Sequence, residues 1–318
     1  MLGLPGCAGK RPVHVAAPRL AARPRVAHSG TVARMETRPF GPTGRSLSVI
    51  GLGGMPMSIE GRPDEAQSLR TIHAALDAGM TLIDTANVYC LDDADLGHNE
   101  RLIAKGLSSW SGARDSIFVA TKGGLARPGG AWRSSARPEA LRAACEQSSR
   151  ALGTERIWLY QLHAPDPSVP LEASVEALAR LRDEGRIEHV GLSNVSVQEI
   201  VRASAIVPIV SVQNRMNPHD KRSIANGVLA HCESHGIAFL PYSPVGGGRG
   251  RAKIAGDATL GRIAAKHGAT PPEIAIAFCA RISTVCFPIP GASRPESALS
   301  SARAAAIRLD ASDLAALA

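Results

Sequence analysis

The sequence predicts an α/β protein of the (β/α)8 type, a TIM barrel in a single domain with a short N-terminal β-hairpin cap. Eight short apolar segments alternate along the chain with amphipathic segments, in the roughly 250 residues that such a barrel needs. Continuous apolar strands are typical of a parallel sheet that is covered on both faces. An open dinucleotide-binding sheet usually carries GxGxxG after its first strand, but here Gly51-Leu-Gly-Gly54 is followed by Met55 and Pro56.

The elements follow from the spacing of apolar residues. In the first predicted helix Leu69, Ile72 and Leu76 recur at helical spacing behind Asp64, a plausible N-cap, and Gly153 closes the third helix. The predicted strands are 48–52, 81–84, 117–121, 157–162, 189–192, 209–212, 237–240 and 284–289. The predicted helices are 64–78, 99–107, 138–152, 171–182, 197–203, 223–235, 272–282 and 295–305, with a long glycine-rich loop after residue 240.

Charge is unevenly distributed along the 318 residues. Residues 1–34 hold six of the 36 Lys and Arg and no acidic residue, which leaves 30 basic against 28 acidic residues, or +2, in residues 35–318. The body therefore lacks the basic footprint of a nucleic-acid-binding protein. We predict that residues 1–34 are a disordered extension ahead of a domain at 35–318. A transit peptide for organelle import is the alternative, because the arm is rich in Arg and free of acid.

Compartment is predicted from cysteines and hydropathy. The six cysteines are scattered without a CxxC pair, which indicates reduced thiols and neither a disulfide framework nor a zinc site. No apolar run approaches the roughly 18 residues that a membrane span requires. We therefore expect a soluble, cytoplasmic protein with no metal, nucleic-acid or membrane partner.

Polar residues stand at the C-terminal ends of six successive predicted strands, where TIM barrels carry their chemistry. Asp84, Lys122 and His163 end strands two, three and four at intervals of about one βα unit, and Tyr89 follows Asp84 on a loop. The later strands end at Ser193, Asn194, Gln213, Asn214, Tyr242 and Ser243. All of these side chains are expected to face one cavity.

The first four residues predict proton transfer to an oxygen. A phenol has an unperturbed pKa of about 10, so Tyr89 needs the ammonium of Lys122 beside it to stabilise the phenolate. Asp84 would keep that ammonium charged and oriented, and His163 would hydrogen-bond a substrate carbonyl. Taken alone, Asp84 and Tyr89 are equally compatible with a helix cap and a packed aromatic ring.

From Met35 onward the chain resembles the aldo-keto reductase superfamily. The motifs that carry the resemblance are Ile83-Asp-Thr-Ala-Asn-Val-Tyr89, Ala120-Thr-Lys-Gly123, Leu162-His-Ala-Pro-Asp166, Gly191-Leu-Ser-Asn194, Val212-Gln-Asn214, Tyr242-Ser-Pro-Val245 and Ile289-Pro-Gly-Ala-Ser-Arg-Pro-Glu296. The resemblance implies reduction of an aldehyde or ketone with a nicotinamide cofactor, usually NADPH. It also implies a tetrad of Asp84, Tyr89, Lys122 and His163, with Tyr89 as the general acid.

The resemblance further implies cofactor contacts. Ser193, Asn194 and Gln213 would hold the carboxamide, and Tyr242 would stack on the nicotinamide. Ser243, Pro244, Val245 and Gly246 would follow the pyrophosphate, and Ser293 and Arg294 would bind the 2′-phosphate. A lysine frequent in relatives is Gly291 here, and a Glu-Asn pair is Ser300-Ser301. NADPH is therefore expected, with NADH use left open.

The substrate is expected to be a small or medium aldehyde or ketone in a fairly open pocket, with rim loops at 56–63, 127–137 and 246–256. Trp132 and Met57 are candidate apolar walls, although each fits packing beneath its loop equally well. Cys90 beside Tyr89 is interpreted as a buried, inert thiol. A non-catalytic NADPH-binding subunit of the same fold is the alternative function, and a barrel isomerase or lyase is a third.

Overall fold

The computed structural model describes residues 2–3 and 35–317. By its internal contacts the chain divides into two units, Met1–Ala33 and Arg34–Ala318, and the second contains the elements below. The predicted N-terminal extension, residues 1–34, lies outside the described residues apart from Leu2 and Gly3. The boundary of the domain therefore stays a prediction.

A parallel sheet forms the centre of the described part. The strands are β1 (Thr37–Pro39), β2 (Ser46–Ser48), β3 (Leu52–Gly53), β4 (Leu82–Asp84), β5 (Phe118–Gly123), β6 (Leu125–Ala126), β7 (Arg133–Ser134), β8 (Ile157–Leu162), β9 (Ile187–Ser193), β10 (Ile209–Gln213) and β11 (Ala238–Phe239). Seven of them make one sheet in the order β11-β10-β9-β8-β5-β4-β3, and every neighbouring pair runs parallel. This confirms the α/β barrel-type fold.

The eighth predicted strand closes the barrel without forming a regular ladder. Cys286 pairs with Phe239 and Ile289 with Tyr242, while Gly291 pairs with Gly53 on the other side. These contacts are isolated bridges because Pro288 and Pro290 have no N–H to donate. The prolines still accept, so the carbonyl of Pro288 receives the N–H of Gly51 at 3.0 Å.

The first predicted strand, 48–52, is divided between two structures. Ser48 ends the antiparallel hairpin of β1 and β2, where it pairs with Thr37, and β3 begins only at Leu52. The hairpin carries Phe40 into the N-terminal end of the barrel, where its ring lies 5.0 Å from Phe287 and 5.5 Å from Trp158. The predicted hairpin cap is therefore confirmed, and it seals the end opposite the site.

Helices surround the sheet. They are α1 (Glu65–Asp77), α2 (His98–Ser109), α3 (Pro138–Leu152), α4 (Leu171–Asp183), α5 (Val197–Ser204), α6 (Arg222–Ala225), α7 (Val228–Ser234), α8 (Gly247–Ala255), α9 (Ala258–His267), α10 (Pro271–Arg281), α11 (Pro295–Arg303) and α12 (Ala311–Leu317). Asp64 caps α1 by accepting the N–H of Gln67, as predicted. None of the helices in residues 35–317 is long and apolar enough to cross a membrane.

Two helix predictions needed correction. The predicted helix 223–235 is broken into α6 and α7 at Gly227, whose φ of 80° is left-handed. The segment after β11, predicted as a long glycine-rich loop, contains α9 and, before it, the glycine-rich α8. Its glycines have low helix propensity and hide the helix from a pattern search.

Candidate active site

The ammonium of Lys122 stands at the centre of a hydrogen-bonded cluster at the C-terminal end of the barrel. Lys122 Nζ donates to Asp84 Oδ1 at 2.7 Å, to the carbonyl oxygen of Thr85 at 2.8 Å and to Tyr89 Oη at 3.1 Å. Three acceptors use all three ammonium protons. The Lys122 side chain has no exposed surface, so it can remain charged only because Asp84 compensates for its desolvation.

His163 completes the group from the end of the next strand. Its ring packs edge-on against Tyr89, with centroids 5.7 Å apart and planes at 81°. Its Nδ1 is buried and has no hydrogen-bond partner among the described residues. The structure therefore brings Asp84, Tyr89, Lys122 and His163 together, as the strand-end spacing predicts.

Burial governs the protonation of these groups. It raises the pKa of Tyr89 well above 10, with the negative charge of Asp84 adding to the effect. Burial lowers the pKa of Lys122, whereas the negative charge of Asp84 raises it. Burial also lowers the pKa of His163 well below 6.5, and the positive charge of Lys122 adds to this effect. Tyr89 is thus a protonated donor and His163 a neutral imidazole at pH 7. Burial, and not the neighbouring ammonium expected from the sequence, has the leading effect on the pKa of Tyr89.

Amide side chains hold the strand ends together around this cluster. Gln213 Nε2 donates to the same Asp84 Oδ1 at 2.8 Å. Asn194 Nδ2 donates to the carbonyl of His163 and to Ser193 Oγ, while Asn194 Oδ1 accepts the hydroxyl of Tyr242 at 2.8 Å. Asn194, at φ 60°, holds a left-handed conformation that non-glycine residues rarely adopt and that is often found at functional sites.

A cavity of about 810 Å³ opens above the cluster. Its polar residues come from the strand ends and its apolar residues from the rim loops. Its lining comprises Gly53, Met55, Pro56, Ile59, Asp84, Tyr89, Leu125, Trp132, His163, Ser193, Asn194, Gln213, Arg215, Tyr242, Ser243, Val245, Gly247, Gly248, Arg251, Ile289 and Gly291. Among the described residues no group of three His, Cys, Asp or Glu side chains could hold a metal ion.

The sequence matches the family model for the aldo/keto reductase family over residues 49–318. The chain belongs to the aldo-keto reductase family. It is 33% identical over 265 residues to an uncharacterized oxidoreductase of Schizosaccharomyces pombe, with 82% of both chains covered. A probable aldo-keto reductase 1 of Glycine max is 31% identical over 313 residues, covering 89% of this chain and 88% of the relative.

Solved aldo-keto reductase structures share the fold. The thermostable aldo-keto reductase Tm1743 superposes with a TM-score of 0.76 at 28% identity, covering 89% of this chain and 98% of that one. An aldo-keto reductase from Klebsiella pneumoniae in complex with NADPH gives a TM-score of 0.74 at 26% identity, covering 89% and 94%. Membership in the family makes the chain an oxidoreductase.

Only some of the cofactor residues implied by the aldo-keto reductase resemblance line the cavity. Ser193, Asn194, Gln213, Tyr242, Ser243 and Val245 line the cavity, with Pro244 and Gly246 in the same loop. Ser293 and Arg294 lie outside the lining, at the N-terminus of α11, where Gln67 Nε2 donates to the carbonyl of Ser293 at 2.9 Å. The amide groups of Gln213 and Asn194 are engaged with protein partners, a role that sequence reasoning missed.

The departures from the aldo-keto reductase pattern have structural reasons. A Cβ atom at Gly291 would come within 2.7 Å of the Pro56 ring, so a lysine does not fit there without a shift. The hydroxyl of Ser300 donates to the buried carboxylate of Glu273 at 2.8 Å. Cys90 is fully buried and burial raises its pKa to about 11, which agrees with an inert thiol.

Of the two candidate apolar walls, only Trp132 lines the cavity. Met57 is fully buried in the core beside α1, so its prediction as a wall is wrong and its packing reading is right. Ile59 lines the cavity from the predicted rim loop 56–63, whereas Met55, Leu125 and Arg215 also line it and sequence reasoning missed them. Nothing in their local pattern distinguishes them from ordinary loop residues.

Proposed function

We propose that this chain reduces an aldehyde or ketone to the alcohol with NADPH as the hydride donor and Tyr89 as the proton donor. The observation that carries the proposal is the cluster in which one buried ammonium, Lys122 Nζ, bonds both Asp84 and the Tyr89 hydroxyl beneath an open cavity. A protonated phenol at the base of a cavity suits protonation of a carbonyl oxygen.

The cavity fits an extended nicotinamide dinucleotide. Next to the polar strand ends runs the loop from Ser243 to Gly248, where Ser243 has φ 53° and Gly247 φ 69°. Apart from its chain neighbours and its own helix, no atom of the described residues lies within 4 Å of a Cβ built at Gly248, so a phosphate could approach the backbone closely there. Arg251 lines this side and supplies positive charge for a pyrophosphate, and beside it lies Arg215, which is paired with Asp220 Oδ2 at 3.3 Å. An NADPH-bound relative at 26% identity supports the choice of cofactor.

The residues divide the chemistry between them. NADPH, when bound, supplies the hydride that the carbonyl carbon takes up. Tyr89 Oη donates its proton to the carbonyl oxygen, so the carbonyl becomes an alcohol and Tyr89 a phenolate. Lys122 Nζ, already 3.1 Å away, then donates to a charged acceptor, and this stronger bond stabilises the transition state. His163, neutral in its buried position, orients the carbonyl by hydrogen bonding.

A cofactor-absorbance assay tests the proposal. Purified protein mixed with NADPH and a panel of aliphatic and aromatic aldehydes and ketones should consume NADPH at a rate that depends on the carbonyl. A panel that gives no consumption, although NADPH binds tightly in a parallel titration, would instead support the alternative of a non-catalytic NADPH-binding subunit.

A further inference from the structure

The indole of Trp132 contacts the rings of Tyr89 and His163. It lies between β6 and β7, 46% exposed, on the lining of the cavity. Its ring meets Tyr89 edge-on at 6.5 Å and 72°, and His163 at 6.4 Å and 73°. A half-exposed indole that contacts both proposed proton-handling rings is placed to touch whatever carbonyl compound they bind.

The buried guanidinium of Arg127 packs against the ring of Trp132. The guanidinium carbon of Arg127 lies 4.1 Å from the Trp132 centroid. Arg127 is only 7% exposed, its Nη2 donates to the carbonyl of Leu91 at 2.9 Å, and its Nε is buried without a partner. Within the described part of the chain no carboxylate lies within salt-bridge distance of it. Because a buried cation is costly without compensation, the face of the indole is a main source of stabilisation for this arginine.

Apolar side chains line the cavity near Tyr89. Met55 and Leu125 pack beside Tyr89, and Ile59 lines the same cavity. The cationic lining residues, Arg215 and Arg251, belong with the Ser243–Gly248 loop, where Arg215 donates to the carbonyl of Gly246. The compartment above Tyr89 therefore has a flat, uncharged wall, whereas the positive charge lies toward the proposed cofactor.

We propose that Arg127 fixes the ring of Trp132 as the wall of the substrate compartment, and that this wall selects carbonyl compounds with an uncharged aromatic or similarly flat group. The inference rests on the proposed function. Arg127 is a positioning residue that acts through Trp132, because the guanidinium packs on the indole and the indole in turn contacts Tyr89 and His163.

The test compares kcat/KM for benzaldehyde, 4-carboxybenzaldehyde and propanal in the wild type and in Arg127→Met, Trp132→Leu and the double variant. Wild type should prefer benzaldehyde to both other aldehydes. Each single variant should lower the ratio of benzaldehyde to propanal by about tenfold, mainly through KM, a size typical of lost apolar pocket contacts. In the Trp132→Leu background, Arg127→Met should change the ratio no further, because the two residues act as one unit.

Two controls separate positioning from folding. Arg133→Met removes the same charge from an exposed neighbour of Trp132 on β7 and should leave the ratio unchanged. Arg127→Lys keeps a cation and should retain part of the preference. Thermal unfolding of every variant identifies any that fail to fold.

A ratio unchanged in Trp132→Leu, additive effects in the double variant, or a preference for 4-carboxybenzaldehyde would each overturn the inference. The last result would mean that Arg127 recognises a substrate carboxylate. If the wild type reduces no carbonyl, the proposed function fails, but the inference remains testable by fluorescence. Benzaldehyde should then quench a Trp emission that Trp132→Leu lacks, and absence of that quenching contradicts the inference.

Discussion

Lys122 is the residue on which the site depends most. An ammonium with no exposed surface is stable only when every proton has an acceptor, and its three partners belong to β4 and to the loop that follows it. Asp84 receives both Lys122 and Gln213 on one oxygen, which couples β4, β5 and β10 through a single carboxylate.

The sequence was enough to predict which strand-end residues meet at the cavity, because a barrel places the C-terminal ends of its strands around one cavity. The pairing of Lys122 with Asp84 and Tyr89 was predicted, but the other side-chain pairings were not. The bond from Gln213 to Asp84 joins positions 129 residues apart, and the stack of Arg127 on Trp132 depends on the course of a hairpin loop. The dominance of burial in the Tyr89 pKa also requires the depth of the site to be known.

The choice between NADPH and NADH is expected to depend on the exposed guanidinium of Arg294. Arg294 occupies the N-cap position of α11, and no ion pair or hydrogen bond engages its side chain within residues 35–317. If it binds the 2′-phosphate, Arg294→Ala should weaken NADPH binding by about tenfold, the size expected for a lost charge-assisted hydrogen bond. Affinity for NADH should stay the same.

Equilibrium fluorescence titrations with both cofactors measure this, with the exposed hairpin variant Arg45→Ala as the control. An equal loss of affinity for NADH and NADPH would remove Arg294 from the proposed role.

The elements differ in how clearly the sequence encodes them. Helices with a cap and a regular apolar face, such as α1 and α3, were predicted to within one residue. For the short strands, the sequence predicted the position along the chain but not the first and last residues. The reason is that a bridge made by Gly53 or Ile289 depends on its pairing partner and not on the strand propensity of the residue itself. The sequence prediction missed helix α8 because four of the residues in it and directly before it are glycines, which have low helix propensity.

The capping box of α10 gives a prediction at the level of elements. Thr270 Oγ1 accepts the N–H of Glu273 at 3.4 Å, and Glu273 Oε2 accepts the N–H of Thr270 at 2.9 Å. Glu273 also accepts the Nε of Arg303 at 3.0 Å, so the box ties α10 to α11. Thr270→Ala should lower the free energy of unfolding by about 1 kcal/mol, the usual cost of losing such a cap.

Urea denaturation measures the change, and Thr270→Ser, which keeps the hydroxyl, should remain close to the wild type. A serine variant as unstable as the alanine variant would show that packing of the methyl group, and not capping, stabilises this helix start.

At the level of the whole molecule, one buried and three partly buried histidines link stability to pH. Burial lowers the pKa of His98, His163, His189 and His231 below 6.5. In the unfolded chain these groups take up protons near pH 6.5, while the folded protein does so only at lower pH. At these histidines the unfolded state therefore binds more protons below pH 6.5, and their contribution lowers the free energy of unfolding as the pH falls through this window. Burial raises the pKa of Glu100, which acts in the opposite direction, and the four histidines are expected to outweigh this one carboxyl group.

Urea denaturation at pH 7.5 and pH 5.5 should show this decrease. His163→Gln should reduce the difference between the two pH values, because one buried imidazole is removed. The carboxylates with lowered pKa values titrate mainly below about pH 4 in the unfolded chain, outside this window. A free energy of unfolding that is constant or higher at pH 5.5 would contradict the assignment.

The identity of the proton donor tests the account most directly. Tyr89→Phe keeps the ring and removes only the hydroxyl that Lys122 contacts. NADPH oxidation with an aldehyde that the wild type reduces should fall by at least about 100-fold in kcat, the lower range for loss of a general acid. The Kd for NADPH, measured by titration of the same preparation, should stay within about twofold. Turnover by Tyr89→Phe equal to that of the wild type would contradict the role of Tyr89 and the mechanism built on it.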